Sequence, residues 1–127
     1  MTHYVLTLNL RDDPAVIETY RDYHRRVWPE VLESLRAAGV ERMDIHQLGH
    51  RLVMLLQLND GLDFHHVFAR HTASSPRVAE WERLMKSLQE PAPDAPDGEW
   101  WAVMEHVFHL EAHEPAVAQA ADRSRTS

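Results

Sequence analysis

The feature that most limits the fold is a helical stripe cut by a proline. Ile17, Tyr20, His24, Val27, Val31 and Leu35 recur every three or four residues, which places them on one face of a helix. Asp12-Asp13-Pro14 is a helix start, an Asp cap followed by proline at the first helical position. Gly39 is suited to end that helix after Ala38. Pro29 lies inside the span. It has no N–H to offer the carbonyl of Arg25, and its ring crowds the same turn, so a kink or break is expected between His24 and Trp28. A phenol and an imidazole then stand one turn apart on the inward face, beside a discontinuity. That suits a small-molecule site, and it suits equally a core in which a histidine finds ordinary partners. The stretch alone leaves both open.

The other elements frame this helix. Tyr4-Val-Leu-Thr-Leu-Asn-Leu10 alternates and reads as a strand. Arg42 to Leu48 alternates again, Gly49-His50 is a two-residue turn, and Arg51 to Leu58 is a return strand apolar enough to be covered on both faces. Leu62 to His71 is a short amphipathic piece. Ser75-Pro76 starts another helix, with Val78, Trp81, Leu84, Met85 and Leu88 on its apolar face. Pro91 to Gly98 must be a loop, and Trp100 to Leu110 reads as the last strand.

The order β-α-β-β-α-β with right-handed crossovers gives an α+β, ferredoxin-like fold, a four-stranded antiparallel sheet backed by two helices. Its second sheet face is left apolar, and a second copy packed sheet to sheet would cover it. A homodimer, a dimeric α/β barrel, is therefore expected. The domain spans residues 1–112, and residues 113–127, Ala-rich then polar, are expected to be a flexible tail.

Composition narrows the function. A 127-residue chain at 44% hydrophobic and 26% charged is globular material for one domain. A formal net charge of −7 argues against a nucleic-acid partner, which needs a basic stripe. No apolar run approaches the ~18 residues of a membrane span, and the start lacks signal-peptide patterning. The chain has no cysteine, which removes thiolate chemistry and fits a cytoplasmic protein.

Candidates for chemistry are few. His24 can move a proton either way near neutrality, and Tyr20 stands one turn before it. On the second strand Asp44 and His46 point to one face and Met43 and Ile45 to the other. Whichever face lines a helix–sheet cavity would meet a ligand, so either Met43 or Asp44 with His46 is a contact. Trp81 offers a flat surface for the apolar side of a sugar and one N–H, or simply fills the core. Arg70, before a flexible segment, is a candidate to close over a ligand. The ten histidines show no convergent metal spacing, and no glycine-rich phosphate loop or GxSxG elbow is present. Neither metal nor cofactor is expected.

Tyr20-x-x-x-His24-x-x-x-Trp28-Pro29-Glu30-Val31, followed by Leu35, Gly39, Met43-Asp-Ile45, the Leu48-Gly-His-Arg-Leu52 turn and Val78-x-x-Trp81-x-x-x-Met85, resembles the L-rhamnose mutarotase family, and its L-fucose mutarotase-like branch more closely. The resemblance covers about Tyr4 to Leu110. It implies a dimeric α/β barrel that interconverts the α and β anomers of a 6-deoxy-hexose, L-fucose before L-rhamnose, without a cofactor. It makes His24 the proton donor and acceptor and Tyr20 and Trp81 sugar-binding residues. Rhamnose-type enzymes carry a second tyrosine where Met43 stands and paired tryptophans where Trp81-Glu82 stands. The fucose-like branch tends to carry an aromatic where His46 stands. Two other readings fit the same scaffold, since fold does not set function. One is a cofactor-free oxygenase or cyclase acting on an aromatic metabolite. The other is a non-catalytic binder of haem or another small ligand, for which haem would require an axial histidine.

Overall fold

Pairing is organised around strand β1 (Thr2–Leu10). In the computed structural model, which describes residues 2–113, β1 runs antiparallel to β3 (Arg51–Leu58), from Thr2 opposite Leu58 to Asn9 opposite Arg51. Strand β2 (Val40–Leu48) pairs with the far edge of β3, with an irregularity between Val40 and Arg42. The other edge of β1 is shared by two short strands. β4 (Gln89–Glu90) meets Asn9 and Leu10, and β5 (Ala102–Val103) meets Leu6 and Thr7. The sheet order is β2-β3-β1 with β4 and β5 on the outer edge, all antiparallel. This is the expected ferredoxin-like α+β fold, with five strands rather than four because the last edge is built from two fragments. The expected tail, residues 113–127, lies outside the described residues except for His113.

The expected first helix is two helices, α1 (Pro14–Arg25) and α2 (Pro29–Ala38). Asp13 caps α1 by accepting from the Ala15 N–H at 2.9 Å. Pro29 opens α2, and Gly39 ends it in the left-handed region at φ 108°. The remaining helices are α3 (Phe64–Ala73) and α4 (Pro76–Leu88). Ser75 caps α4, its Oγ accepting from the Val78 N–H at 3.2 Å. On the helix side of the sheet, Leu6, Leu8 and Leu10 of β1 and Leu52, Met54, Leu56 and Leu58 of β3 are buried, with Tyr4, Met43 and Ile45 half-buried beside them. Tyr20, Val31, Val67, Val78, Trp81 and Met85 cover them from the helices.

The strand expected from Trp100 to Leu110 is realised only at Ala102–Val103, with one further bond from the Met104 N–H to the Val5 carbonyl at 2.7 Å. Beyond it the chain leaves the sheet, and Val107, Phe108 and Leu110 are 92%, 63% and 67% exposed. Their alternation has nothing in one copy to pack against, so periodicity alone does not hold them in a ladder.

A Cβ on Gly39 would sit 2.2 Å from Leu62 Cδ1. That side-chain tip can turn aside, but the positive φ remains strained for any other residue. Gly39→Ala is expected to cost about 1–3 kcal/mol, read as a lowered urea midpoint. An unchanged midpoint would show that the α2–β2 turn has no such constraint.

Candidate active site

Because the helix stops at Arg25, His24 occupies the final turn of α1, and residues 26–28 turn the chain into α2. The Trp28 carbonyl accepts from the N–H groups of Val31 and Leu32 at 3.0 and 3.3 Å. Its ring stands edge-on to Trp81 with centroids 5.1 Å apart, and the Arg77 guanidinium lies 3.5 Å from its centroid. α4 thereby brings Trp81 against His24, ring centroids 5.6 Å apart. Between the helices and the sheet is a cavity of about 810 Å³. Tyr20, His24, Met43, Trp81, Glu82 and Gln89 are among the residues lining it.

The His24 ring has a defined tautomer. Its Nδ1 lies 2.9 Å from the Tyr20 carbonyl oxygen, which can only accept. Nδ1 therefore carries the hydrogen and Nε2 keeps its lone pair. Burial holds the imidazole below its ordinary 6.5, partly offset by that same hydrogen bond, so the ring is neutral at physiological pH. The Tyr20 ring stacks on it at 4.2 Å and 28°.

Tyr20 is nearly fully buried. Desolvation pushes its phenol well above the usual range, the Gln89 side chain bonds to it and pulls the other way, and Glu82 adds a smaller upward push. The group is a neutral O–H, a hydrogen-bond donor rather than a base. Glu82 is the site residue that sequence reasoning passed over. Burial raises its carboxyl above 4.5, while Lys86 and the Thr72 hydroxyl, 3.5 Å away, draw it down. The signal was present: Glu82 lies four residues after Val78, on the inward side of α4. Gln89, buried at the start of β4, had no such periodic mark.

The family model described as L-rhamnose mutarotase matches residues 3–110. The chain belongs to the L-rhamnose mutarotase family. Members are aldose isomerases that interconvert ring anomers, and the protein is an enzyme of that class. It is 38% identical over 112 residues to an L-fucose mutarotase of Xanthomonas campestris, covering 87% of this chain and 89% of that one. It is 28% identical over 116 residues to an L-rhamnose mutarotase of Burkholderia orbicola, covering 84% and 97%. The crystal structure of an L-rhamnose mutarotase from Formosa agariphila shares the fold at a TM-score of 0.62 and 18% identity, over 87% of this chain and 99% of that one.

In this mutarotase the register between β2 and β3 decides which face of the second strand meets the cavity. Met43 pairs with Leu56 and Ile45 with Met54, the buried side. Asp44 pairs with Leu55 on the opposite face, where the Arg42 Nε donates to it at 2.9 Å. Asp44 is thus no cavity residue, a correction to its expected role. His46 borders the cavity rim, but it pairs with Val53 and shares the Asp44 face. Arg70 is also corrected. Its Nη2 donates to the Ala38 carbonyl at 2.6 Å and closes the end of α2 instead of reaching over a ligand. Among the described residues, no group of three or more His, Cys, Asp or Glu stands together as metal ligands would.

His71 lines the same cavity but serves the scaffold. It is 2% exposed, and its Nδ1 lies 2.7 Å from Ser34 Oγ, joining α3 to α2. Burial lowers its pKa from 6.5. The unfolded chain therefore binds protons at His24 and His71 below about pH 6.5 that the folded chain resists, and stability falls as pH drops through that point. Each contributes at most about 1.4 kcal/mol per pH unit. Urea midpoints between pH 7.5 and 5 should fall on acidification, with a shallower slope in His71→Gln. An equal slope in the variant would contradict a neutral His71.

Proposed function

We propose that the protein interconverts the α and β anomers of a 6-deoxy-hexose, L-fucose before L-rhamnose, with His24 as the group that takes and returns the anomeric proton and Tyr20 as a hydrogen-bond donor to the sugar. The observation that carries this reading is the neutral His24 ring, fixed at Nδ1 by a backbone carbonyl and open at Nε2, inside a cavity walled by an aromatic ring. Ring opening needs a base on the anomeric O1–H and a donor at the ring oxygen. Nε2 would supply the first, and the neutral Tyr20 O–H, whose ring stacks on His24, would hydrogen-bond to the ring oxygen as the second forms. The aldehyde then turns about C1–C2 and closes on its other face. Only protons move, so the chemistry requires no cofactor.

Trp81 gives a flat apolar wall for the C–H face of the sugar, and Met43 an apolar contact for a methyl group. The 38% identity to an L-fucose mutarotase supports fucose as the first sugar to try. The cysteine-free composition fits a cytoplasmic setting. Added protein should speed anomer exchange of L-fucose in saturation-transfer NMR, and His24→Ala should slow catalysed exchange by about 10²–10⁴-fold. Exchange at the uncatalysed rate with L-fucose, L-rhamnose and other 6-deoxy-hexoses would sink the proposal.

We also infer a homodimer through the sheet face that the helices leave bare. Val5 and Leu55, paired on that face, are 38% and 42% exposed, and the apolar segment from Met104 to Leu110 stands out beside the same strand β1. A second copy would bury both. Light scattering on the intact chain should give twice the monomer mass, and Leu55→Asp should move it toward monomer. A monomer in the unsubstituted protein would refute the assembly.

A further inference from the structure

We propose that the carboxyl of Glu82 is a catalytic acid, handing a proton to the ring oxygen of the sugar while His24 Nε2 takes the anomeric proton. The inference rests on the mutarotase reading and completes it. Ring opening moves a whole proton to the ring oxygen, and a phenol buried as Tyr20 is holds its own too firmly to part with it. Tyr20 polarises an oxygen by hydrogen bonding; another group must be the source.

Glu82 is placed for this. It follows Trp81 on α4 and lines the same cavity as His24 and Tyr20. Among the described residues it forms no close ion pair: the Thr72 hydroxyl of α3 donates to it at 3.5 Å, a long contact, and Lys86 acts on it through its charge. The other titratable groups lining the cavity are Tyr20, Arg21, His24 and Arg25 on α1, Arg36 on α2, Glu41, Arg42 and His46 on β2, His71 on α3 and Lys86 on α4. Arg25 is engaged by Glu18 and Asp22, and Arg21 by Gln47. The carboxyl is therefore kept protonated more readily than an exposed glutamate, by burial first.

The cycle balances. Nε2 takes the proton from O1–H, the C1–O1 bond becomes a carbonyl, the C1–O5 bond breaks, and O5 takes the proton from Glu82. After rotation about C1–C2, O5 attacks the other face of C1, its proton returns to the Glu82 carboxylate, and the imidazolium returns its proton to O1. Both residues end as they began.

The test is the pH profile of catalysed L-fucose anomer exchange in the intact protein. A neutral imidazole and a protonated carboxyl together give a bell. In Glu82→Gln, kcat should fall by about 10²-fold with KM little changed, and the alkaline decline should vanish, leaving a single rising curve. Glu82→Asp should keep the bell at a reduced rate. Following the Glu82 carboxyl by ¹³C NMR gives a reading that does not depend on a variant folding, and its midpoint should lie above 4.5. A Glu82→Gln enzyme that keeps the original rate, one that loses only KM, or a carboxyl midpoint at or below 4.5 would overturn the assignment. Wild-type protein silent on every sugar would instead bring down the mutarotase reading, and this assignment with it.

Discussion

The missing N–H of Pro29 is the constraint on which the site depends. With no donor for the Arg25 carbonyl, α1 ends at Arg25, and the chain takes three residues to start again as α2. A continuous helix would carry Trp28 around its own axis, next to Val27 and Val31 in sequence order. The break instead makes Trp28 an N-cap whose ring leans on Trp81. That contact, reinforced by Arg77 of α4 lying over the Trp28 ring, ties α4 to the end of α1. His24 ends up in a last helical turn, where its Nδ1–H bonds the Tyr20 carbonyl one turn back and leaves the lone pair on Nε2. One absent hydrogen thus sets the position of the helix pair, and the Tyr20 carbonyl sets the tautomer of the ring.

Burial then acts on three groups in two directions. It disfavours the imidazolium of His24, and it disfavours the phenolate of Tyr20 and the carboxylate of Glu82. The common outcome favours the uncharged forms: a lone pair at Nε2, a hydrogen on the Tyr20 oxygen, and a Glu82 carboxyl that keeps its proton to higher pH than an exposed one. Proton exchange with a neutral sugar requires that pattern of donors and acceptors. The hydrogen bond between the Tyr20 hydroxyl and the Gln89 side chain links it to β4, a strand of two residues. β4 lies on the edge of β1, so the phenol is referenced to the most deeply buried strand of the sheet.

Much of this was legible in the chain, and the reason differs by element. The caps read directly because their chemistry is local: Asp13 before Pro14, Ser75 before Pro76 and Gly39 after Ala38 all stand where hydrogen bonds and a positive φ require them. Tyr20 and His24 read from a period that only a helix produces. The choice between Met43 and the pair Asp44 and His46 did not, because parity along one strand shows two faces without saying which is inward. That answer comes from the register against Leu56 and Met54. Arg70 misled because a long cation near the end of a helix reads as mobile, whereas the Ala38 carbonyl of another helix was free to take it. β4 has no local signature at all. Gln89 and Glu90 are strand because β1 passes beside them.

The segment after Val103 shows the limit most clearly. Its alternation from Met104 to Leu110 is as regular as that of β1, yet β1 is a nine-residue strand and this stretch is not. β1 has β3 on one side and β4 with β5 on the other. Past Met104 the neighbouring backbone is matched on one side only, and the apolar side chains face solvent. A period-two pattern is a statement about two environments, one dry and one wet. Where one chain supplies only the wet one, the pattern points to an apolar surface outside that chain. The bare face carrying Val5 and Leu55 lies on the same strand that Met104 bonds to, so a single partner laid on the sheet would answer both.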